Sequence, residues 1–441
     1  MSHPLIFISN TSLAHQALIQ HGALFSNRPF CLPTTKILTS NQHNINTASY
    51  GHNWNVLRRN LTHFLHPSQP NGFSNARKWV LDNLLDRIMR SSGASNQCAI
   101  EVNHHFRFAM FNLLVFMCFG QKLEEYKIRE IETIQHRLLT TFNRFLILDC
   151  LPWITRMLLP NRWAEVYELK NKRDEVLIPI IRARKKLLQA QSQDDNTSIV
   201  AAYVDTLFTL QLSEPEDTTT TTATTTTTTT ATTNNNNSNR RRKRKLSEEE
   251  MYPKVQDKLF QEIQQVVGVL EVDEVNEKQV SKMKYLKAVV LEGLRRHPPS
   301  YFSLPHAVTR KVELGGYTIP ENAIVFFTIA EMGWDPQVWD DPMEFEPERF
   351  LSGDKMDEFD ITGSKEIKMM PFGVGRRICP ALQLAMFHLE YYVANLVWKF
   401  EWKVLDGYEV ELSEKQEFTV VMNDSLKTQI FPRQIIKQHK P

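Results

Sequence analysis

The chain has 441 residues, of which 42% are hydrophobic and 23% are charged, which is enough apolar material for a large core. Its length allows one large domain or two to three of ordinary size. Lysine and arginine number 52 against 50 aspartate and glutamate, and the net charge of +2 predicts no general attraction to nucleic acid. Five widely spaced cysteines predict neither a disulfide framework nor a zinc site, and they favour a reducing compartment.

We expect no secretory or membrane-spanning segment in this sequence, because its apolar runs are too short to cross a bilayer. The apolar run from residue 5 to 8 instead predicts a buried strand. Farther on, Trp54 and Arg58 stand four residues apart, on one face of a predicted helix. Taken alone, this pair indicates cation–π packing at the surface.

Helical periodicity extends over residues 74–91, 101–120, 126–144 and 162–190, so the first half of the chain is predicted to be mainly α. The segment from residue 148 to 160 is apolar and bounded by prolines. Its composition fits a segment of the core.

Low complexity interrupts the chain between residues 213 and 250. Threonines fill residues 218–233 almost completely, asparagines follow, and residues 240–245 are all basic. Such a composition cannot bury a core, so we expect a disordered surface insertion between two parts of one domain, residues 1–212 and 251–441. A basic run also occurs in nuclear import signals and nucleic-acid patches, but so short a motif often arises by chance, and no nucleic-acid partner is predicted.

The second half is predicted to contain helices and a small sheet. One helix begins at Tyr252-Pro253, and a second, residues 283–297, ends before two prolines. The second helix contains Glu292 and Arg295, a spacing that carries little information alone because chance produces it often. Alternating residues between 304 and 328, with a Gly-Gly turn, predict short strands. The predicted fold class is therefore mainly α (α+β).

The most informative stretch runs from Pro371 to Ala381 and leads into a long helical pattern. Its two glycines suit a tight bend, and Pro380 fits the first position of the helix. Cys379 then lies at a helix N-terminus, where the dipole and Arg377 favour the thiolate. A thiolate is one of the protein ligands of haem iron. The alternative for a lone cysteine is a free thiol in an ordinary turn.

The pattern F-x-x-G-x-R-x-C, formed by Phe372, Gly375, Arg377 and Cys379, resembles the haem signature of the cytochrome P450 superfamily. The E-x-x-R helix and the P-E-R-F segment at 347–350 precede it in the order typical of that superfamily. Segments such as 13–20, 77–82 and 330–336 are most similar to the plant microsomal family 89. One departure is Ala381, where glycine is usual, and we expect tighter packing there without loss of ligation.

The resemblance implies a cytochrome P450 fold, a large helical domain with a small β-sheet region, and haem b as cofactor. Cys379 is then the iron ligand. Trp54, Arg58, Arg377 and His306 are implied to contact the haem propionates, although His306 also fits a surface histidine. Three further residues are implied to form a buried ion-pair network: Glu292, Arg295 and Arg349.

The implied activity is monooxygenation, in which one atom of O2 enters a small, apolar organic substrate. Electrons come from NADPH-cytochrome P450 reductase in such enzymes, which are monomers on the cytosolic face of the endoplasmic reticulum membrane. The segment at 148–160 is implied to lie over the substrate pocket and to touch that membrane.

Two parts of the resembling enzymes are missing from this sequence. One is the N-terminal membrane anchor, and the other is a central helix on the distal haem face that carries an acid–alcohol pair. No catalytic residue is therefore assigned, since Asp205-Thr206 lacks the accompanying glycine. Two alternatives follow: a truncated haem-binding product without activity, and a haem-thiolate isomerase or dehydratase that acts on hydroperoxides.

Overall fold

The computed structural model describes residues 3–66, 73–93, 99–191, 200–211, 248–268, 272–351, 359–405, 407–408, 410–417 and 419–433. Within these ranges helices dominate and the strands are short, which confirms the predicted class, mainly α with a small β-sheet region.

The helices of the first half include the four long ones predicted from periodicity, which correspond to α4, α5, α6 and α8 below. A π-helical turn, Gln16–Gln20, extends the first helix. The helices are α1 (Thr11–His15), α2 (Pro33–Leu38), α3 (His52–Phe64), α4 (Phe73–Ser91), α5 (Val102–Phe119), α6 (Glu125–Asp149), α7 (Pro152–Leu158), α8 (Pro160–Gln191) and α9 (Tyr203–Phe208).

The second half contains five α-helices among the described residues: α10 (Glu248–Val267), α11 (Glu277–Val280), α12 (Lys284–Arg296), α13 (Ile329–Gly333) and α14 (Leu382–Lys399). The predicted start at Tyr252-Pro253 was wrong, because α10 begins at Glu248. Three glutamates precede the proline in sequence, and acidic residues favour the first turn of a helix. The Thr-rich tract and the basic run lie between residues 212 and 247, outside the described residues.

The strands are β1 (Leu5–Ile8), β2 (Ile100–Glu101), β3 (His306–Ala307), β4 (Val312–Leu314), β5 (Tyr317–Ile319), β6 (Ile324–Phe327), β7 (Phe400–Val404), β8 (Glu414–Gln416), β9 (Val420–Met422) and β10 (Lys427–Pro432). One sheet has the order β1-β6-β3, with β1 parallel to β6, and another has the order β2-β10-β7. The hairpin β4-β5 turns at Gly315-Gly316, as the sequence predicts.

Strand β1 lies at an edge of its sheet and is buried on one face only. Ile8 is 6% exposed, whereas Leu5 and Phe7 are 55% and 54% exposed. The prediction of a buried strand was therefore wrong in this respect. Alternate residues of a strand point to opposite faces, and an entirely apolar run does not reveal that one face is open.

Two apolar cores position the loop that precedes α14. The larger core joins α4, α5, α10 and α14, with Val80, Leu113 and Ile263 among its buried side chains. The other lies between α1 and the β1-β6-β3 sheet, and Val374 of the loop is buried in it beside Leu18. The second core thus holds the loop against α1, and the first holds the helix that follows the loop. None of the helices in the described ranges is long and apolar enough to cross a membrane.

Candidate functional site

The predicted ligand loop forms a tight turn in front of α14. The backbone N–H of Cys379 donates to the carbonyl of Phe372 (2.8 Å), and the N–H of Gly373 donates to the carbonyl of Met370 (2.9 Å). Cys379 is only partly buried and is not disulfide-bonded. The loop therefore presents one accessible thiol at a fixed position.

Gly375 is required by the contact of this loop with the N-terminal region. Its φ angle is +75°, a conformation that residues with a side chain rarely adopt. A Cβ atom at Gly375 would also overlap the backbone carbonyl oxygen of Leu18. Gly373 has a φ of +69°, but the nearest atom to a Cβ there would be the Arg377 carbonyl oxygen at 3.9 Å.

The helix after the loop begins later than predicted. Pro380 does not occupy its first position, because α14 starts at Leu382. Ala381 is the N-cap, with φ −100° and ψ 16°, and its carbonyl accepts from the N–H of Ala385 (2.8 Å). A negative φ suits alanine without strain, so the replacement of the usual glycine does not distort the loop.

Arg377 and Trp54 pack against each other beside the loop. The guanidinium carbon lies 4.3 Å from the Trp54 ring centroid. Arg377 donates to the carbonyls of Ser26 (2.8 Å) and Ala48 (2.7 Å), and the Trp54 indole donates to that of Ile45 (3.1 Å). The two predicted propionate contacts are thereby brought together and held by the segment before α3.

Arg28 belongs to the same cluster, and the sequence reading missed it. It is 9% exposed, and its guanidinium donates to the carbonyls of Asn46 (2.9 Å) and Pro305 (2.7 Å). Burial lowers the pKa of Arg28 to about 10. The available sequence signal was a single arginine inside the run Phe25–Phe30, and no motif accompanied it.

The arginines of this cluster, of which Arg28 is buried and Arg58 and Arg377 are partly buried, have no acidic partners in the described ranges. Burial lowers the pKa of Arg377 to about 9, and the charges of Arg28 and Arg58 add to the effect. Burial also lowers the pKa of Arg58, against the opposing effect of the nearby Cys379 sulfur. Among the described residues, no aspartate or glutamate forms an ion pair with Arg28, Arg58 or Arg377. Since buried charges are normally paired, the cluster suits an anionic ligand.

His306 lies against this cluster and is 5% exposed. Its Nδ1–H donates to the carbonyl of Phe25 (2.6 Å). Burial, with the charges of Arg28 and Arg377, lowers the pKa of His306 to about 3. The side chain is therefore neutral at physiological pH. This burial argues against the surface histidine that the sequence also allowed.

The second predicted arginine group is closed on itself. Arg295 donates to both carboxylate oxygens of Glu292 (2.7 and 2.8 Å), and Arg349 donates to one of them (3.1 Å). Arg295 also donates to the carbonyls of Gly333 and Pro342, each at 2.7 Å. Glu292 and Arg295 are 0% and 1% exposed, so this network is satisfied without a ligand.

Asp205 and Thr206 are engaged in local structure. Asp205 accepts from Arg184 (2.8 and 2.6 Å) and from the N–H of Ala202 (2.8 Å). The Thr206 hydroxyl contacts the side-chain oxygen of Asn60 (3.0 Å). Neither side chain is available as the acid–alcohol pair that is missing from the sequence.

A cavity of about 440 Å³ lies away from this site, between the end of α3, the start of α4, α11 and α14. None of the predicted site residues lines it. Its walls include Phe64, Phe73, Arg77, Glu277 and Phe387.

The donor set fits haem b. Two propionate carboxylates match a cluster of buried and partly buried arginines that is not paired with a carboxylate of the described residues, and a cysteine thiolate such as that of Cys379 can bind haem iron. Cys379, Arg58 and Arg377 are the residues of this chain that would hold the group, with Trp54, Arg28 and His306 around them.

Comparison with known proteins agrees with this geometry. The cytochrome P450 family matches residues 1–430. The chain is 42% identical to cytochrome P450 89A9 of Arabidopsis thaliana over 98% of the chain and 85% of that protein, and 28% identical to cytochrome P450 98A1 of Sorghum bicolor over 97% and 83%.

A zebrafish cytochrome P450 solved with progesterone has a TM-score of 0.69 and 18% identity, over 97% of this chain and 93% of that one, which supports the fold. Flavonoid 3'-monooxygenase of Arabidopsis thaliana is 26% identical over 97% of the chain. The chain therefore belongs to the cytochrome P450 family, as a monooxygenase with haem b as its cofactor.

Proposed function

We propose that the chain binds haem b through Cys379 and transfers one atom of O2 to a small, apolar organic substrate, with electrons from NADPH-cytochrome P450 reductase. The observation that carries the haem site is a group of three arginines, Arg28 buried and Arg58 and Arg377 partly buried, that have no acidic partner in the described part of the chain and lie next to an accessible cysteine. In this proposal the propionates are neutralised by three arginines, Arg28, Arg58 and Arg377. Trp54 and His306 pack around these arginines.

A thiolate-ligated haem, when bound, supplies the oxygen chemistry. The chain's own residues hold and orient it. The loop hydrogen bond from Cys379 N–H to Phe372 fixes the sulfur, and the carbonyl partners of Arg377 fix its guanidinium. In the haem-free chain burial keeps His306 neutral at physiological pH, so the positive charge of the cluster that meets the propionates is that of the arginines.

The proposal includes binding to a membrane surface, at the endoplasmic reticulum as in the resembling enzymes. The short helix α7 supports it, because Trp153, Met157 and Leu158 are 73%, 74% and 66% exposed. Arg156 lies among these apolar residues, and apolar side chains with a basic neighbour suit the headgroup boundary of a bilayer. Flotation with liposomes tests membrane binding, and Trp153→Ser should reduce the fraction of protein that floats with the liposomes.

A second candidate is a haem-binding chain without turnover. The engagement of Asp205 and Thr206 in local hydrogen bonds favours it, because Asp205-Thr206 is the candidate replacement for the acid–alcohol pair of the resembling enzymes. We further propose one domain interrupted by an insertion at residues 213–250, with a single copy as the haem-binding unit.

Carbon monoxide added to the reduced, haem-loaded full chain tests the ligand. We expect the red-shifted Soret band of thiolate ligation, lost in Cys379→Ser and retained in Cys150→Ser, a control at an exposed cysteine. Absence of that band in the unaltered chain contradicts the haem proposal. Turnover with NADPH and reductase then supports the monooxygenase. Turnover of a hydroperoxide without reductase supports the isomerase or dehydratase. Absence of any turnover supports the inactive candidate.

A further inference from the structure

Two consecutive arginines of the ligand loop, Arg376 and Arg377, both pack on aromatic rings. They lie in a short helical turn just before Cys379. Arg377 is partly buried against Trp54, whereas Arg376 is exposed. The guanidinium carbon of Arg376 lies 5.3 Å from the ring centroid of Tyr50, and this guanidinium also donates to the Tyr50 hydroxyl. The exposed arginine of the loop is therefore tied to a definite partner.

The rings of Tyr50 and Trp54 connect the two arginines. Their centroids lie 5.2 Å apart with an interplanar angle of 45°. The contacts thus run in series from Arg376 to Tyr50, to Trp54 and to Arg377, and each end of the series is a cation placed over an aromatic ring. We call Tyr50 with Arg376 the outer pair, and Trp54 with Arg377 the inner pair.

The outer pair is anchored to the same stretches of chain that hold the inner pair. The backbone N–H of Tyr50 donates to the side-chain oxygen of Asn27 (3.0 Å). Ser26, the neighbour of Asn27, provides a carbonyl for the Arg377 guanidinium (2.8 Å). Ala48, close before Tyr50 in sequence, provides another (2.7 Å). Loss of the outer pair should therefore give the inner pair more freedom without removing any of its own hydrogen bonds.

We propose that Tyr50 and Arg376 are positioning residues for haem, which hold Trp54 and Arg377 in the orientation that receives a propionate before the group binds. The inference rests on the haem binding proposed for this chain. A side chain that is ordered in advance does not have to be immobilised on binding, which saves conformational entropy. Neither member of the outer pair contacts haem in this proposal, so both act through the inner pair.

Haem titration of the full chain tests the positioning role. Tyr50→Leu should lower the affinity roughly twofold to tenfold, which corresponds to the immobilisation of one long side chain on binding. Tyr50→Phe keeps the ring and should retain most of the affinity of the unaltered chain. Tyr126→Leu is the matched control, because Tyr126 is a 64% exposed tyrosine on α6 with Lys127 over its ring, and it should leave haem affinity unchanged.

A double-mutant cycle separates positioning from a general loss of structure. If Tyr50 acts through Arg377, the two residues are coupled and their effects on haem affinity are not additive. In an Arg377→Gln background, the further change Tyr50→Leu should lower haem affinity by less than about twofold. A full and additive effect in that background overturns the proposal.

Amide hydrogen exchange of the haem-free chain gives a readout that does not require haem. The N–H of Cys379 donates to the Phe372 carbonyl (2.8 Å) and closes the loop. Arg376→Gln and Tyr50→Leu should each speed exchange of this amide roughly twofold to fivefold, because loss of an exposed cation–π contact lets the loop open more often. Arg310→Gln, at another exposed arginine, is the control and should not change it.

The two readouts distinguish failure of this proposal from failure of haem binding itself. Exchange of the Cys379 amide that is unchanged in both variants overturns the positioning role. So does a Tyr50→Leu variant that binds haem as tightly as the unaltered chain, or a Tyr50→Phe variant that binds as weakly as Tyr50→Leu. Faster exchange in both variants, with no thiolate Soret band in the unaltered chain, supports ordering of the loop by the outer pair but contradicts the proposed function.

Discussion

The arginines around Glu292 and the arginines around the ligand loop are both largely shielded from solvent, and they differ in what neutralises them. Around Glu292, the Arg295 and Arg349 side chains share one buried carboxylate. Around the ligand loop, Arg28 is buried and Arg58 and Arg377 are partly buried, and none of the three has an acidic partner among the described residues. The first group completes its charge balance within the protein. The second leaves positive charge that haem propionates can neutralise.

The contrast indicates how to separate structural from ligand-binding charges. Burial alone does not separate them, since Arg295 is 1% exposed and Arg28 is 9% exposed. The presence of an acidic partner does separate them. Removal of the carboxylate from the closed network leaves its arginines without a counter-charge, whereas removal of an arginine from the open group removes an unpaired positive charge. The predictions below exploit this difference.

The largest effect is expected from Glu292→Gln. Loss of the shared carboxylate leaves Arg295 and Arg349 buried without a counter-charge, and we expect a loss of about 3–5 kcal/mol in the free energy of unfolding. The control is Glu346→Gln, because Glu346 pairs with the same Arg349 but its side chain is 54% exposed. That change should cost less than about 1 kcal/mol. Urea unfolding of both variants measures the difference, and equal losses would contradict the closed network.

A smaller effect, seen in haem binding, is expected from Arg58→Gln. The unfolding free energy of the haem-free protein should not fall, because no ion pair is broken and a partly desolvated charge is removed. Haem affinity should fall roughly tenfold to hundredfold, the worth of a hydrogen bond to a charged group. Arg59→Gln is the control at the exposed neighbour on α3. If haem titration gives the same affinity for both variants, Arg58 does not contact the ligand.

The smallest effect is a pH dependence from His306. The pKa of His306 is about 3 in the folded protein, against 6.5 for an ordinary histidine in the unfolded chain. Between pH 3 and pH 6.5 the unfolded state therefore binds a proton that the folded state does not. Stability of the haem-free protein should therefore fall as pH decreases below about 6.5, by at most about 1.4 kcal/mol per pH unit.

His306→Gln should reduce this slope in urea unfolding at pH values from neutral to acid. His136→Gln, at an exposed position of α6, should not. Haem propionates would bring negative charge near His306 and raise its pKa, so the haem-loaded protein should show the weaker slope. A slope that His306→Gln leaves unchanged would assign the acid sensitivity to other groups.

Much of the fold was predictable from sequence because helices and tight turns leave signals within a few neighbouring residues. The helices α4, α5, α6 and α8 follow from apolar periodicity, and the loop before Cys379 follows from glycine spacing. The late start of α14 was missed because proline fits both a first helical turn and the preceding bend. The start of α10 was missed for a related reason, since acidic residues upstream extended the helix beyond the proline.

Long-range placement was not predictable from such signals. The open face of β1 depends on which strands neighbour it, and an apolar run is equally compatible with burial on both faces. Arg28 joins the cluster through carbonyls of Asn46 and Pro305, which are remote in sequence. A single arginine without a motif gives no indication of such contacts.

The contact between Gly375 and the Leu18 carbonyl has a consequence for biosynthesis. The ligand loop is translated near the end of the chain. The segment against which it packs, around Leu18, is translated near the beginning and leaves the ribosome early. Contacts between such distant parts form slowly, because a long chain must close before they bring any gain. The surface around Leu18 therefore lacks its packing partner, and stays partly exposed, until synthesis is nearly complete. We expect cofactor loading to be a post-translational event, and nascent chains that end before residue 375 to engage chaperones.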